Sequence, residues 1–121
     1  AKTNALTGIK FSSYQGANVK GHCVRYATTV AFDLQKRGIE SWYLEYDWKS
    51  GNSDGAHAIC IFHTGETWYI VDNEWPYPSK VKHDEFEKMV RQRFPHVVKI
   101  RTVLTVGGEI GNLKDLLTTT K

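Results

Sequence analysis

The chain has 121 residues, a length that predicts one domain with a core large enough to fold without disulfides or metals. Its composition of 40% hydrophobic and 24% charged residues is ordinary for a globular protein. No stretch approaches the roughly 20 apolar residues that cross a membrane, and the net charge of +3 is not concentrated in a basic stripe or a nucleic-acid-binding motif. We therefore expect a single domain over residues 1–121 that binds neither membranes nor nucleic acids, in a compartment that the sequence leaves open.

The first part of the chain predicts a polar arm followed by an amphipathic helix. Residues 1–19 mix polar side chains with glycine and are expected to form an N-terminal arm. Over 22–37, apolar residues recur at three- and four-residue spacing, which is typical of a helix with one buried face. The residues of this face are Val24, Ala27, Ala31 and Leu34. Gly38 follows as the expected helix stop.

The middle of the chain predicts an antiparallel meander of strands. Strands are expected at 39–47, 56–63 and 67–73, with a polar loop at 49–55 and a tight turn at 64–66. This turn pairs the second and third strands as a hairpin. The segment 75–78 contains prolines and cannot continue the ladder, because proline lacks the N–H group.

The last part of the chain predicts one further strand between helices. A helix is expected over 83–93, a strand over 97–106 and a short helix over 112–118. These elements together predict an α+β fold, in which the first helix packs on one face of an antiparallel sheet.

The two cysteines occupy different kinds of position and are expected to be free thiols. Cys60 lies in the middle of the second strand, where its side chain points away from the face of His57 and into the core. Cys23 instead opens the first helix, directly after Gly21 and His22. A disulfide is arithmetically possible, but no framework of further cysteines supports one.

Cys23 has the setting of a nucleophile. Unsatisfied N–H groups and the positive end of the dipole at a helix N-terminus favour the thiolate over the thiol, which lowers the pKa. The competing interpretation is a structural cysteine, because free cysteine is often a core residue. Against it, Cys23 precedes the apolar face of its helix.

A histidine and an aspartate follow at positions that the predicted hairpin brings together. His57 begins the second strand directly after a loop, and Asp72 lies near the end of the third. The turn at 64–66 makes His57 roughly level with Asn73 and Asp72 on the paired strand, which brings the histidine and the acid within reach of each other. A carboxylate that ends an otherwise apolar strand face needs a partner. The competing interpretation is a core histidine and an aspartate that caps a turn.

This order of residues resembles the transglutaminase-like cysteine hydrolases, which are papain-related enzymes with a Cys-His-Asp triad. The resemblance covers residues 20–75 and is strongest at 57–59 (His-Ala-Ile) and 68–72 (Trp-Tyr-Ile-Val-Asp). Two positions depart from the family pattern. Val24 stands where a Trp commonly follows the cysteine, and Asn73 stands where a Pro frequently follows the aspartate.

The resemblance implies a papain/transglutaminase-like fold and a mechanism of acyl transfer. Cys23 would attack an amide carbonyl, His57 would transfer the proton, and Asp72 would orient the imidazole. The acyl group would pass to water, as in a peptidase or amidase, or to an amine, as in a transglutaminase. The implied partner is a protein or peptide substrate, and no cofactor or metal is implied.

The resemblance also suggests residues around the triad. Gln15 and Asn18 lie upstream of the cysteine, where papain-like enzymes carry a Gln, and are candidates for the oxyanion hole beside the Cys23 N–H. Trp42 and Trp75 are candidates for a substrate groove, with core or rim aromatics as the competing interpretation.

Other functions are compatible with the same residues. A binding or regulatory module with a papain-like fold and no turnover is the main alternative. Cysteine peptidases of the bacteriocin-leader or peptidoglycan type share the order Cys, His, Asp. A metal site built from His22, Cys23, His57 and Asp72 has no supporting spacing.

Overall fold

A five-stranded antiparallel sheet organises the chain, and a helix packs on each of its faces. The computed structural model describes residues 6–105. Its elements are a 3-10 turn (Phe11–Ser13), α1 (Cys23–Lys36), β1 (Ser41–Ser50), β2 (Ser53–Thr64), β3 (Thr67–Val71), β4 (Ser79–Val81), α2 (Phe86–Arg93) and β5 (Val97–Thr105). The strand order is β4-β3-β2-β1-β5. The α+β class and the packing of the first helix on the sheet are confirmed.

One face of the sheet is covered by α1. The helix buries its apolar stripe against the side chains of β1, β2 and β3 that alternate toward it, which are Tyr43, Ala58, Cys60, Phe62 and Val71. The predicted bounds, 22–37, differ from the observed ones by a single residue at each end. Gly38 adopts a φ of +80°, and its N–H bonds the carbonyl of Gln35, as expected for the residue that ends a helix.

The opposite face of the sheet is covered by α2. Met89 and Val90 are fully buried against the strand side chains that point to this second face, which are Leu44, Ile59, Ile61 and Ile70. Trp42 and Phe86 join this cluster at its edge. The apolar face of α2 follows the sequence pattern, but its packing against the second face of the sheet was not predicted.

The first hairpin is longer than predicted. The expected loop at 49–55 is wrong, because β1 and β2 pair as far as Ser50 and Ser53. Gly51 takes a φ of +62°, which lets the chain reverse within two residues. The ring of Trp48 lies across Gly55, where an added Cβ would come within 2.9 Å of it. Polar side chains suggested a loop here, but backbone pairing along an exposed hairpin tolerates them.

Other element bounds also differ from the predicted ones. The third strand ends at Val71 and not at residue 73, α2 begins at Phe86 and not at residue 83, and the first strand starts at Ser41 and not at residue 39. The short strand β4 was not predicted, because three residues are too few to show an alternation. Residues 1–5, residue 106 and the expected helix at 112–118 lie outside the described residues.

Both cysteines are free thiols, as predicted. Cys60 is completely buried in the core beneath α1, and this burial raises the pKa of its thiol. Cys23 is half-buried at the first position of α1. Within residues 6–105, no helix is long and apolar enough to span a bilayer.

We expect Cys60→Ala to lower the free energy of unfolding by about 1 kcal/mol or more, because the lost sulfur leaves a void in a closely packed core. Urea denaturation followed by circular dichroism measures this change. Cys23→Ala is the matched control, and its cost should be smaller because Cys23 is only half-buried. A greater loss for Cys23→Ala than for Cys60→Ala would contradict the assignment of Cys60 to the core.

Candidate active site

The site lies where the sheet narrows. The pairing of β2 with β3 ends at Cys60 and Val71. The residues of β2 that precede Cys60, including His57, are therefore not paired with β3. Asp72 leaves the sheet directly after β3 and remains buried, with 2% of its surface exposed. The start of α1 brings Cys23 to the same end of β2, beside His57.

His57 and Asp72 are joined by a hydrogen bond. The distance from His57 Nε2 to Asp72 Oδ2 is 2.8 Å, and both side chains are largely buried. Because a carboxylate only accepts, the Nε2–H group donates. The second carboxylate oxygen accepts the backbone N–H of Trp75 at 3.3 Å. The predicted hydrogen bond across the hairpin is therefore confirmed, although Asp72 lies just beyond the strand and not within it.

The Cys23 sulfur lies beside the His57 ring, close enough for each group to shift the pKa of the other. Since Nε2 is engaged by Asp72, the ring nitrogen left to face the sulfur is Nδ1. Backbone hydrogen bonds from Ala58 and Val24 also reach the sulfur and stabilise its negative charge. The structure thus brings the three predicted residues together, with His57 between the Cys23 sulfur and the Asp72 carboxylate.

Cys23 and His57 shift each other's pKa in opposite directions. Burial favours neutral imidazole, but the hydrogen bonds to Asp72 and Cys23 and their charges raise the pKa of His57 to about 9. Burial likewise favours the neutral thiol, yet the His57 ring and the backbone donors lower the pKa of Cys23. The arrangement therefore favours a thiolate beside an imidazolium.

Aromatic rings hold the imidazole in place. The ring of Tyr46 meets the His57 ring edge to face at 5.7 Å between centroids, and the Phe94 ring does so at 6.0 Å. Tyr46 lies directly opposite His57 in the register of β1 and β2. Neither ring was predicted to belong to the site. The pairing of the first two strands could have indicated Tyr46, but no local signal points to Phe94, which follows α2.

A cavity of about 590 Å³ opens at this end of the sheet. Cys23 and His57 line it together with the aromatic side chains of Tyr46, Trp48 and Phe94. A substrate in this cavity would therefore meet the sulfur and the imidazole at the same surface.

The predicted oxyanion-hole side chains lie elsewhere. Gln15 is exposed, and its amide oxygen accepts a hydrogen bond from Arg25 Nη1 at 2.9 Å. Asn18 is also exposed, with a left-handed φ of +63°, and neither side chain lines the cavity. The backbone N–H of Cys23, in the first turn of α1, remains the candidate donor.

The two predicted groove tryptophans do not line the cavity either. Trp42 packs at the other end of β1, stacked on Trp68 with 5.3 Å between ring centroids and against Phe86. It belongs to the cluster under α2, in agreement with the competing interpretation of a core aromatic. Trp75 is 54% exposed and pairs with Tyr77, so it is a rim aromatic.

Asn73 links the aspartate segment to the chain that leads into α1. Its side-chain Nδ2 donates to the Val19 carbonyl at 2.9 Å, and its own carbonyl accepts the Asn18 N–H at 2.7 Å. The side chain is buried and lines the cavity next to Asp72. From the sequence, Asn73 was expected only as a residue level with His57 and as a departure from the family pattern, and this linking role was not predicted. Asn73 therefore sets the distance between the segment of Asp72 and the segment of Cys23.

Comparisons with known proteins identify no relative of this chain. The chain finds no match among protein-family models, curated proteins or solved structures. Within residues 6–105, no group of three or more His, Cys, Asp or Glu side chains is arranged to hold a metal ion.

We expect Cys23 to react with iodoacetamide below the ordinary pKa of a cysteine, because its own pKa is lowered. His57→Ala should move the midpoint of the rate-against-pH curve upward, since it removes a hydrogen bond and a charge that favour the thiolate. His63→Ala is the matched control, because His63 pairs with Glu40 outside the site. Mass spectrometry separates alkylation of Cys23 from that of buried Cys60. Identical curves for the unmodified protein and His57→Ala would contradict the coupling.

The raised pKa of His57 also makes folding depend on pH. The folded value of about 9 lies above the ordinary 6.5, so protonated His57 stabilises the folded protein. This contribution is complete below pH 6.5 and is lost as the pH rises through about 9. We expect Asp72→Asn to reduce this loss, because it removes the charge that raises the pKa. Thermal melts made in Cys23→Ala test the sign; this background removes the coupled thiol, and with it one cause of the raised pKa, so the loss is complete at a lower pH. An unchanged or steeper loss in Asp72→Asn would contradict it.

Proposed function

We propose that this protein is a thiol-dependent hydrolase or acyltransferase that acts on amide bonds of peptides or of glutamine side chains. The observation that carries the proposal is the placement of Cys23 beside His57, which donates a hydrogen bond to the buried Asp72, at a cavity that a substrate can enter. A nucleophile, a base and a group that orients the base are the parts that covalent acyl transfer requires.

In the first step, the Cys23 thiolate would add to the amide carbonyl carbon. The carbonyl π electrons move to oxygen, and the backbone N–H of Cys23 is available to this oxyanion at the start of α1. The first-turn N–H groups receive no side-chain cap from His22, which precedes the helix. The N–H of Cys23 therefore remains available to an oxyanion of the substrate, whereas that of Val24 faces the sulfur.

In the second step, the His57 imidazolium would give its proton to the leaving nitrogen. The carbon–nitrogen bond breaks, an amine or ammonia departs, and the acyl group remains on the sulfur as a thioester. Neutral His57 would then take a proton from water or from an acceptor amine as that nucleophile attacks the thioester carbon. The carbon–sulfur bond breaks, and the Cys23 thiolate is released beside the His57 imidazolium. Asp72 would hold the ring in one tautomer and stabilise its positive charge in both steps.

We further propose that the chain is related to the transglutaminase-like, papain-related hydrolases. The order Cys, His, Asp and the packing of the cysteine helix on an antiparallel sheet support this relationship. The proposed partner is a protein or peptide substrate. The proposed chemistry uses side chains and backbone donors, so it calls for no cofactor.

We expect Cys23→Ala to abolish acylation while leaving the fold intact, because Cys23 lies outside the apolar stripe of α1. p-Nitrophenyl acetate is a suitable probe, since an activated ester acylates a thiolate without specific recognition. The unmodified protein should release a burst of one equivalent of nitrophenolate per molecule, and Cys23→Ala should release none. Cys60→Ala should keep the full burst per folded molecule.

On amide substrates, His57→Ala should lower turnover by about 100- to 10,000-fold, and Asp72→Asn should lower it less, because Asp72 orients the proton carrier. Benzyloxycarbonyl-glutaminylglycine with hydroxylamine tests transfer, and ammonia release without hydroxylamine tests hydrolysis. A peptide library read by mass spectrometry tests cleavage. A full burst in Cys23→Ala would contradict the proposal. A reactive Cys23 thiol with no turnover in any assay would favour the non-catalytic binding module.

A further inference from the structure

The cavity beside Cys23 has a wall of aromatic rings. Tyr46 and Phe94 pack on each other with 5.4 Å between ring centroids, and Trp48 extends the wall along β1. Trp48 lies flat because Gly55 opposite it has no side chain, and a Cβ there would come within 2.9 Å of the ring. The wall is thus suited to a flat or apolar group of a ligand.

One cation beside this aromatic wall, Arg93, has no carboxylate partner among the described residues. The Arg93 guanidinium lies over the Phe94 ring at 4.7 Å from its centroid and lines the cavity. In residues 6–105, Arg37, Arg91 and Arg101 each have an acidic partner within ion-pair distance, whereas Arg93 has none. Contact with the ring occupies a face of the guanidinium and leaves its N–H edges for another acceptor.

The residues that line the cavity carry an excess of positive charge. Lys20 also lines it, and Glu74 is the one acidic residue among the described residues that do so. The Cys23 thiolate and the His57 imidazolium cancel, so Lys20 and Arg93 against Glu74 leave one net positive charge in the cavity lining, which favours a negatively charged ligand group. Arginine binds carboxylates through paired N–H···O bonds that lysine cannot form.

We propose that Arg93, Phe94, Tyr46 and Trp48 form a specificity subsite for a carboxylate carried next to an apolar or aromatic side chain of a peptide. This inference rests on the proposed function, because it names the substrate class of the same cavity. The carboxylate belongs either to an acidic side chain or to the end of a peptide chain. Arg93 binds it, and the aromatic wall binds the neighbouring side chain.

The test measures binding and not turnover. Three short N-acetylated peptides are titrated by calorimetry into the Cys23→Ala protein, which binds without chemistry. They contain Phe-Glu with an amidated C-terminus, Phe-Gln with an amidated C-terminus, and Phe-Gln with a free C-terminal carboxylate. The glutamine peptide has the shape of the glutamate peptide but lacks its charge.

We expect at least one carboxylate peptide to bind about tenfold or more tightly than the neutral peptide, because its hydrogen bonds to Arg93 are charge-assisted. The stronger of the two carboxylate peptides identifies the source of the charge. Arg93→Gln should abolish this preference, and Arg93→Lys should weaken it. Arg91→Gln, a control on the same helix whose arginine pairs with Glu87, should retain it.

Equal binding of all three peptides, or no measurable binding of any, would overturn the subsite. Retention of the preference in folded Arg93→Gln would also overturn it, with thermal melts to establish folding. If Arg93→Gln does not fold, loss of the preference in folded Arg93→Lys supports the subsite, and full retention overturns it. The iodoacetamide and nitrophenyl acetate measurements do not depend on Arg93. A reactive thiol without a carboxylate preference therefore rejects the subsite alone, and a carboxylate preference with an unreactive thiol rejects the proposed function alone.

Discussion

The hydrogen bond between the His57 Nε2–H and the Asp72 carboxylate joins two segments that the sheet no longer holds together. Pairing of β2 with β3 ends at Cys60 and Val71, so the ladder stops before it reaches His57. A carboxylate as buried as Asp72 would be costly without partners. It has two, the imidazole on one oxygen and the Trp75 N–H on the other. This bond closes the end of the sheet and also fixes which ring nitrogen faces the sulfur.

The rest of the site is assembled around that bond by contacts from three directions. The start of α1 supplies the thiol, β1 supplies Tyr46, and the segment after α2 supplies Phe94. Asn73 ties the segment that leads into α1 to the residue next to Asp72. The site therefore depends on the packing of both helices against opposite faces of one sheet.

The electrostatics of the site follow from the same arrangement. Burial alone would favour a neutral thiol and a neutral imidazole, since it disfavours both charges. The buried carboxylate reverses the outcome for His57, and the imidazolium with the Ala58 and Val24 donors reverses it for Cys23. Cys60 shows what burial does without such partners, because its pKa is raised. The two cysteines are the same residue type, and their different surroundings shift their pKa values in opposite directions.

Local sequence patterns were sufficient for the elements with a clear period and for the three residues of the candidate triad. Three local features carried these predictions: the apolar spacing of α1, the turn at 64–66 and the position of Cys23 before the apolar stripe. The hairpin placed His57 near Asp72 because a short turn leaves little freedom of register. The extended first hairpin and β4 were missed, since polar or very short strands show no alternation. Gln15, Asn18 and Trp42 were misplaced because the path of the arm and the face of β1 covered by α2 depend on packing between distant segments.

The sequence by itself determined which residues could act as nucleophile, base and orienting acid, because those roles depend on residue type and on local position. Only the tertiary structure decided that the thiol meets the imidazole, that Phe94 and Arg93 reach the same cavity, and that Asn73 holds the two segments together. These contacts join parts of the chain that are far apart in sequence. They arise when both faces of the sheet are buried at once, and no periodicity within a single element encodes them.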